Sequence, residues 1–180
     1  MTTESRTRYT VLGMLTIENL SGYEMIKIIK SSTNHFWSES EGQIYPTLAK
    51  CVKDGLATCK EYSAEKSGRP KKIYSITEKG KKELTAWLKK EVNPCLIRNE
   101  LLLKLFFGKN IPMNDNIHHI VHHKKQIESE LIFYKKIRTE IAIEHEKSPH
   151  LKYWLMTIDY GIEISKAELA WCKKTLKTLR

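Results

Sequence analysis

Apolar residues recur along this chain at changing periods, and each change of period marks a boundary between elements. Val11, Leu12 and Leu15 predict a first helix over about 7–16. Ser21 with Glu24 three residues on is a capping-box pattern, and Met25, Ile26 and Ile29 follow at helical spacing, so a second helix is expected over 21–32. Ser40 with Gln43 repeats the pattern and opens a third. There Ile44, Leu48 and Cys51 fall at i, i+4 and i+7 and make one buried stripe. Gln43, Thr47 and Lys50 keep the same spacing on a polar stripe. Asp54-Gly55 ends that helix, with Gly supplying the left-handed cap.

The period then shortens to two. Residues 56–63 and 72–77 read as strands, with Tyr74 and Ile76 alternating with polar neighbours. Between them Gly68 and Pro70 mark a turn. Thr77 is expected to cap a fourth helix running to Val92, with Leu84, Trp87 and Leu88 facing inward. Asn93-Pro94 breaks the pattern, so the domains are drawn as 1–92 and 93–180.

The second half is helical by period: a short apolar helix over 98–107, a long one over 113–147 and a last one after Ser148-Pro149. Ile120, Ile127, Tyr134 and Ile141 recur every seventh residue. Leu151, Leu155, Ile158, Ile162, Ser165, Leu169, Cys172, Leu176 and Leu179 alternate steps of four and three, which is a sustained heptad seam. Such a seam needs a partner helix, in the same chain or in another. Leu151, Leu155, Ile158, Ile162, Leu169, Cys172 and Leu176 are therefore candidate dimer-interface residues.

Charge narrows the function. The 180 residues carry a formal net charge of +10, with 41% hydrophobic residues. A globular basic chain suits a polyanionic partner, nucleic acid ahead of an anionic membrane surface. The charge is concentrated: between Lys66 and Lys82 seven basic residues face one acid, Glu78. The most apolar run, 101–107, is broken by Lys104, so no membrane span and a cytoplasmic location are expected. Cys51, Cys59, Cys95 and Cys172 are scattered without a CxxC pair, so they read as reduced thiols. His118, His119, His122 and His123 form two i, i+4 pairs, a spacing able to chelate a metal. No matching Cys or carboxylate accompanies them, so they read as surface histidines, and neither metal nor cofactor is expected. No nucleophile elbow, P-loop or paired-carboxylate arrangement points to an enzyme.

The residues also carry a resemblance. Ser21-Gly22-Tyr23-Glu24, then Gly42-Gln43-Ile44-Tyr45-Pro46-Thr47-Leu48, Asp54-Gly55-Leu56, the run from Gly68 to Thr77, and Gly80 occur in an order similar to that of the PadR family of winged helix-turn-helix transcriptional regulators. Cys51 departs from the pattern, standing where the family usually shows a larger aliphatic residue. The second half resembles the family's longer members by layout.

The resemblance implies a mainly α fold: an N-terminal winged helix-turn-helix domain with a two-stranded wing, then an all-helical dimerisation domain. It implies a homodimeric repressor on double-stranded DNA with an inverted-repeat operator. The polar stripe of Gln43, Thr47 and Lys50 would face the major groove, where these side chains can read adenine, a thymine methyl and guanine or phosphate. Ser40, Tyr23 and Tyr45 would lie near phosphates, a half-buried core role being the alternative for Tyr23. Lys66, Gly68, Arg69, Lys71 and Lys72 would form the cationic wing, with Arg69 suited to a narrow minor groove. Phe133, Tyr134, Tyr153, Trp154, Tyr160 and Trp171 are candidates either for an aromatic effector's pocket or for plain packing. Two other readings stay open: a small-molecule-binding protein, or a protein-interaction adaptor built on the same fold.

Overall fold

The computed structural model of the chain describes residues 6–33, 36–62, 70–94 and 98–179. They fall into two compact units that divide after Pro94.

In the first unit α1 (Arg6–Ile17) is enclosed by α3 (Glu41–Lys53), α4 (Glu78–Leu88) and the sheet, with α2 (Gly22–Ser31) packed on α3. Val11 and Leu12 of α1 are wholly inaccessible, and so are Met25, Ile44, Leu48, Cys51 and Leu56 around them. Burying each such aliphatic side chain is worth roughly 1.5–3 kcal/mol, so this contact set is the unit's main source of stability. Arg8 adds a polar tie: its guanidinium donates to Asp54 at 2.8 Å and to Glu83 at 2.9 Å, joining α1 to the end of α3 and to α4.

Strands β1 (Ala57–Tyr62) and β2 (Lys71–Ile76) pair antiparallel, with Ala57 opposite Ile76 and Tyr62 opposite Lys71. A third piece joins them. Leu20 and Tyr74 exchange backbone hydrogen bonds at 3.1 and 2.8 Å, so the link between α1 and α2 lies along the outer side of β2. This bridge was not anticipated from sequence, because a single paired residue has no period.

Both capping boxes form. Ser21 caps α2, and the Glu24 carboxylate returns to the Ser21 N–H at 2.9 Å. Gln43 Oε1 likewise accepts from the Ser40 N–H at 3.3 Å and from its hydroxyl at 2.9 Å. Gly55 closes α3 with φ of 71°, the expected left-handed cap. Thr77 caps α4 by accepting the Gly80 N–H at 3.0 Å. Gly80 then lies so close to the Leu56 carbonyl that a Cβ there would collide with backbone.

Two expectations fail at the end of α4. The helix stops at Leu88 and not at Val92, and Leu88 is 65% exposed instead of facing inward. The core ends one turn earlier, at Leu84 and at Trp87, whose ring stacks on Tyr9 at 4.5 Å.

The second unit is built on an antiparallel helix pair, α6 (Met113–Glu144) and α7 (Leu151–Thr178), preceded by the short α5 (Glu100–Phe106) and a turn of 3-10 helix at Gly108–Asn110. Cross-links between the long helices run down the pair: His123 to Glu168 at 3.0 Å and Arg138 to Asp159 at 2.6 Å. Ile120 and Ile127 of α6 and Ile162, Ser165 and Cys172 of α7 are buried between them. Among the described residues no helix is long and apolar enough to cross a membrane.

Two predictions arise from these contacts. Gly80→Ala must push α4 off Leu56 and should destabilise the first unit by about 1–3 kcal/mol, read as a lowered urea midpoint. Glu24 is held well below the usual carboxylate range, to about 2, first by Lys71 and then by the Ser21 N–H and hydroxyl. A depressed folded-state pKa gives stability that is full above the ordinary value of about 4.5 and is lost as pH falls from there towards about 2. Glu24→Gln should therefore flatten the acid limb of the stability–pH curve over that window, and an unchanged limb would contradict the assignment.

Candidate nucleic-acid interface

The third helix presents two faces because its period forces it to. With Ile44, Leu48 and Cys51 at zero exposure, the side chains between them must turn outward. Gln43, Tyr45, Pro46 and Lys50 are exposed and Thr47 is half-exposed. Pro46 has no N–H to give the Gly42 carbonyl, so α3 lacks one rung of its ladder in its first two turns. That stretch is held instead by the Ser40–Gln43 cap.

The cap changes what Gln43 can offer. A bidentate contact to adenine needs the carboxamide oxygen and the NH2 together. Here the oxygen is occupied by Ser40, leaving the NH2 as the outward group. Lys50 has no carboxylate partner among the described residues, so its ammonium is available.

Both tyrosines stand at the start of α2. Tyr23, in the first turn of α2, is 72% exposed, so the core role considered for it does not hold. Tyr45 is 48% exposed, and its ring lies directly over Gly22, where no side chain would fit. The α2 N-terminus and the outward face of α3 thus adjoin at one corner.

The wing is less cationic than its local sequence. Lys71 is paired with Glu24 at 2.7 Å, and Lys72 with Glu61 across the sheet at 3.0 Å. The Lys72 pKa is raised by its hydrogen bond to Glu61. Lys79 donates to the Asp54 carbonyl at the end of α3 at 2.7 Å, and Lys81 pairs with Glu78. Of the seven basic positions counted along the sequence, four are therefore engaged within the chain. Three of their partners, Glu24, Asp54 and Glu61, lie outside residues 66–82. Lys66, Gly68 and Arg69 lie outside the described residues. Tyr62, not singled out from sequence, is 54% exposed opposite Lys71 at the loop end of the paired strands.

Elsewhere the sequence candidates separate. Burial pushes the Cys51 thiol up to about 11, which keeps it protonated and unreactive. His123 is committed to Glu168 while His118 and His122 are exposed. Four of the six aromatic candidates lie apart: Tyr134 packs on Gly161, Trp154 lies between His145 and His150, and Tyr153 and Tyr160 point outward, while Phe133 meets Tyr134 edge-on.

The proposed dimer seam is partly filled within the chain. Ile162 and Cys172 are buried in the α6–α7 pair, and Leu151, Leu155, Ile158, Leu169 and Leu176 are half-buried along the same stripe. The period of α7 allows a second apolar stripe half a turn away. Tyr153, Met156, Tyr160 and Ile164 form it and are 65%, 54%, 69% and 43% exposed.

Comparison with known proteins matches both units. Residues 11–86 match the family described as transcriptional regulator PadR-like, and residues 97–180 the family described as virulence activator alpha C-term. The negative transcriptional regulator PadR of Bacillus subtilis is 35% identical over 101 residues, which is 56% of this chain and 55% of that protein. A probable transcriptional regulator of Mycobacterium tuberculosis is 31% identical over 87 residues, 48% of this chain and 45% of that one. These matches span about half the length of the curated relatives. Among solved structures, Bacillus subtilis PadR in complex with operator DNA superposes with a TM-score of 0.85 at 24% identity, covering 96% of this chain and 98% of that one. The same protein with p-coumaric acid gives 0.81 at 24%, over 99% and 98%. The smu.1604c protein of Streptococcus mutans gives 0.76 at 29%, over 94% and 98%. The chain thus carries a PadR-like transcriptional-regulator domain over residues 11–86, followed in order by a virulence activator alpha C-terminal domain over residues 97–180.

Proposed function

We propose that this chain is a homodimeric, cytoplasmic repressor that binds double-stranded DNA at an inverted-repeat operator and is released by a small aromatic effector. One observation carries the reading: a helix whose inner face is fully buried displays Gln43, Thr47 and Lys50 outward, with Tyr23 and Tyr45 at one corner. That arrangement supplies hydroxyls and an ammonium for phosphates, and amide, methyl and ammonium groups for base edges. The operator complex known for the Bacillus subtilis relative supports the same partner, and its p-coumaric acid complex supports an aromatic effector.

In this reading Lys50 and Thr47 enter the major groove and Gln43 does so once its oxygen leaves the Ser40 cap. Tyr23, Ser40 and Tyr45 set the register on phosphates. Lys66, Gly68 and Arg69 are proposed as further DNA contacts, with Arg69 suited to a narrow minor groove. Two such units on one face of a duplex would stand about one helical turn, ~34 Å, apart. The second copy docks through the outward stripe of Tyr153, Met156, Tyr160 and Ile164, since the inner stripe is already covered by α6.

Fluorescence-anisotropy titration against the gene's own upstream DNA and a scrambled duplex, at several salt concentrations, tests the function. Binding to the native site should be at least ~10³-fold tighter than to the scrambled one. Equal affinity at every salt concentration would reject the reading. Arg69→Ala should weaken both complexes and lower the salt slope by about one. Tyr160→Asp should elute as a folded monomer in light-scattering chromatography. Leu169→Asp, on the inner stripe, should instead lower the helical signal, and the reverse pattern would return the interface to the inner stripe.

A further inference from the structure

The α2 N-terminus and the wing meet at an anion-binding arrangement that the chain fills with its own carboxylate. Glu24 Oε2 accepts from the Ser21 N–H at 2.9 Å and from the Ser21 hydroxyl at 2.7 Å, while Oε1 accepts from the Lys71 ammonium at 2.7 Å. A helix-start N–H, a hydroxyl and an ammonium are the donors by which proteins hold a backbone phosphate. The corner is also where such a phosphate would arrive. Tyr23 stands exposed beside it, and Tyr45 of the outward α3 face lies over Gly22, the residue between Ser21 and Tyr23. Lys71 keeps half of its side chain in solvent, so the pair stands at the surface and not in the core.

We propose that Glu24 is a built-in competitor for DNA phosphate, holding Lys71 so that the α2–wing corner does not add a backbone contact and the protein's sequence-independent grip on duplex DNA is lowered. The inference rests on the DNA-binding reading above. Its physical basis is that affinity for any duplex scales with the number of phosphates met by cations, each adding about 0.9 to the slope of log K against log salt. An ionised carboxylate beside Lys71 removes that contribution in two ways. It cancels the local charge, and it occupies the ammonium a phosphate would need. The low Glu24 pKa keeps this charge in place across the physiological range. Gln at this position keeps a capping oxygen for Ser21 and removes only the charge, because the capping box accepts Glu or Gln.

The experiment is a double-substitution cycle in the full-length protein: wild type, Glu24→Gln, Lys71→Met and the two combined. Affinity for the native and a scrambled duplex is measured from 0.05 to 0.3 M salt, roughly the span over which phosphate contacts are lost, with a melting curve for each variant. Glu24→Gln should tighten binding to both duplexes by up to roughly eightfold at 0.1 M salt and steepen the slope by about 0.9. Lys71→Met alone should leave the wild-type slope nearly unchanged, and the combined variant should return to it. A Glu24→Gln protein with unchanged or weaker binding overturns the proposal. So does a combined variant that keeps the steeper slope, since Glu24 would then act through general repulsion and not through Lys71. If Glu24→Gln does not hold its fold, Lys71→Met decides alone: a slope lowered by about one would mean that Lys71 already meets phosphate with Glu24 present. Wild-type protein that prefers no duplex removes the DNA-binding reading itself, a failure visible before any substitution is made.

Discussion

Exclusion of water from one side of α3 decides what this protein offers to a partner. Ile44, Leu48 and Cys51 have no exposure, and they are buried against a first helix that is itself enclosed. At 3.6 residues per turn, that commitment leaves no freedom in the outward face, which must carry Gln43, Thr47 and Lys50. The core of this unit and its recognition surface are two sides of one helix, so damage to either is damage to both. Arg8 reinforces the arrangement by tying the end of α3 to α1 and α4. Its guanidinium pKa is raised, chiefly by the hydrogen bond to Glu83.

Electrostatics in the first unit works by compensation more than by accumulation. The basic segment looks unopposed when read along the chain, yet Glu24 and Glu61 reach it through the fold. Exposed pairs of this kind are worth roughly 0–1 kcal/mol each, so they contribute little to stability. They matter more to the external field, since each carboxylate cancels a charge that would otherwise attract a polyanion at a distance. Lys50, in the last turns of α3, has no carboxylate partner among the described residues and keeps its charge on the outward face.

Much of this was legible in the sequence because it is written locally. The boxes at Ser21 and Ser40, the Gly55 cap and the buried stripe of α3 each need fewer than a dozen residues to declare themselves. What was not legible depends on residues far apart. Lys71 finds Glu24 from 47 positions away, and the Leu20–Tyr74 bridge is a single pairing without a repeat. On α7 the aliphatic heptad was visible, but its partner was not, and α6 takes it. The opposite stripe of Tyr153, Met156, Tyr160 and Ile164 mixes aromatic, thioether and aliphatic side chains, so it does not stand out as a repeat. The surplus apolar length assigned to α4 failed for a similar reason: Leu88 continues the period after the core has ended.

The missing rung at Pro46 has a mechanical result. With no N–H to meet the Gly42 carbonyl, the opening of α3 leans on the Gln43 oxygen held by Ser40. If α3 enters a major groove as proposed, Gln43 has two employments that exclude each other, clasping its own helix or pairing with an adenine edge. Under that proposal only a base pair whose gain exceeds the cost of unfastening the helix end would recruit it, and discrimination at that position would be a threshold set by the protein's own architecture.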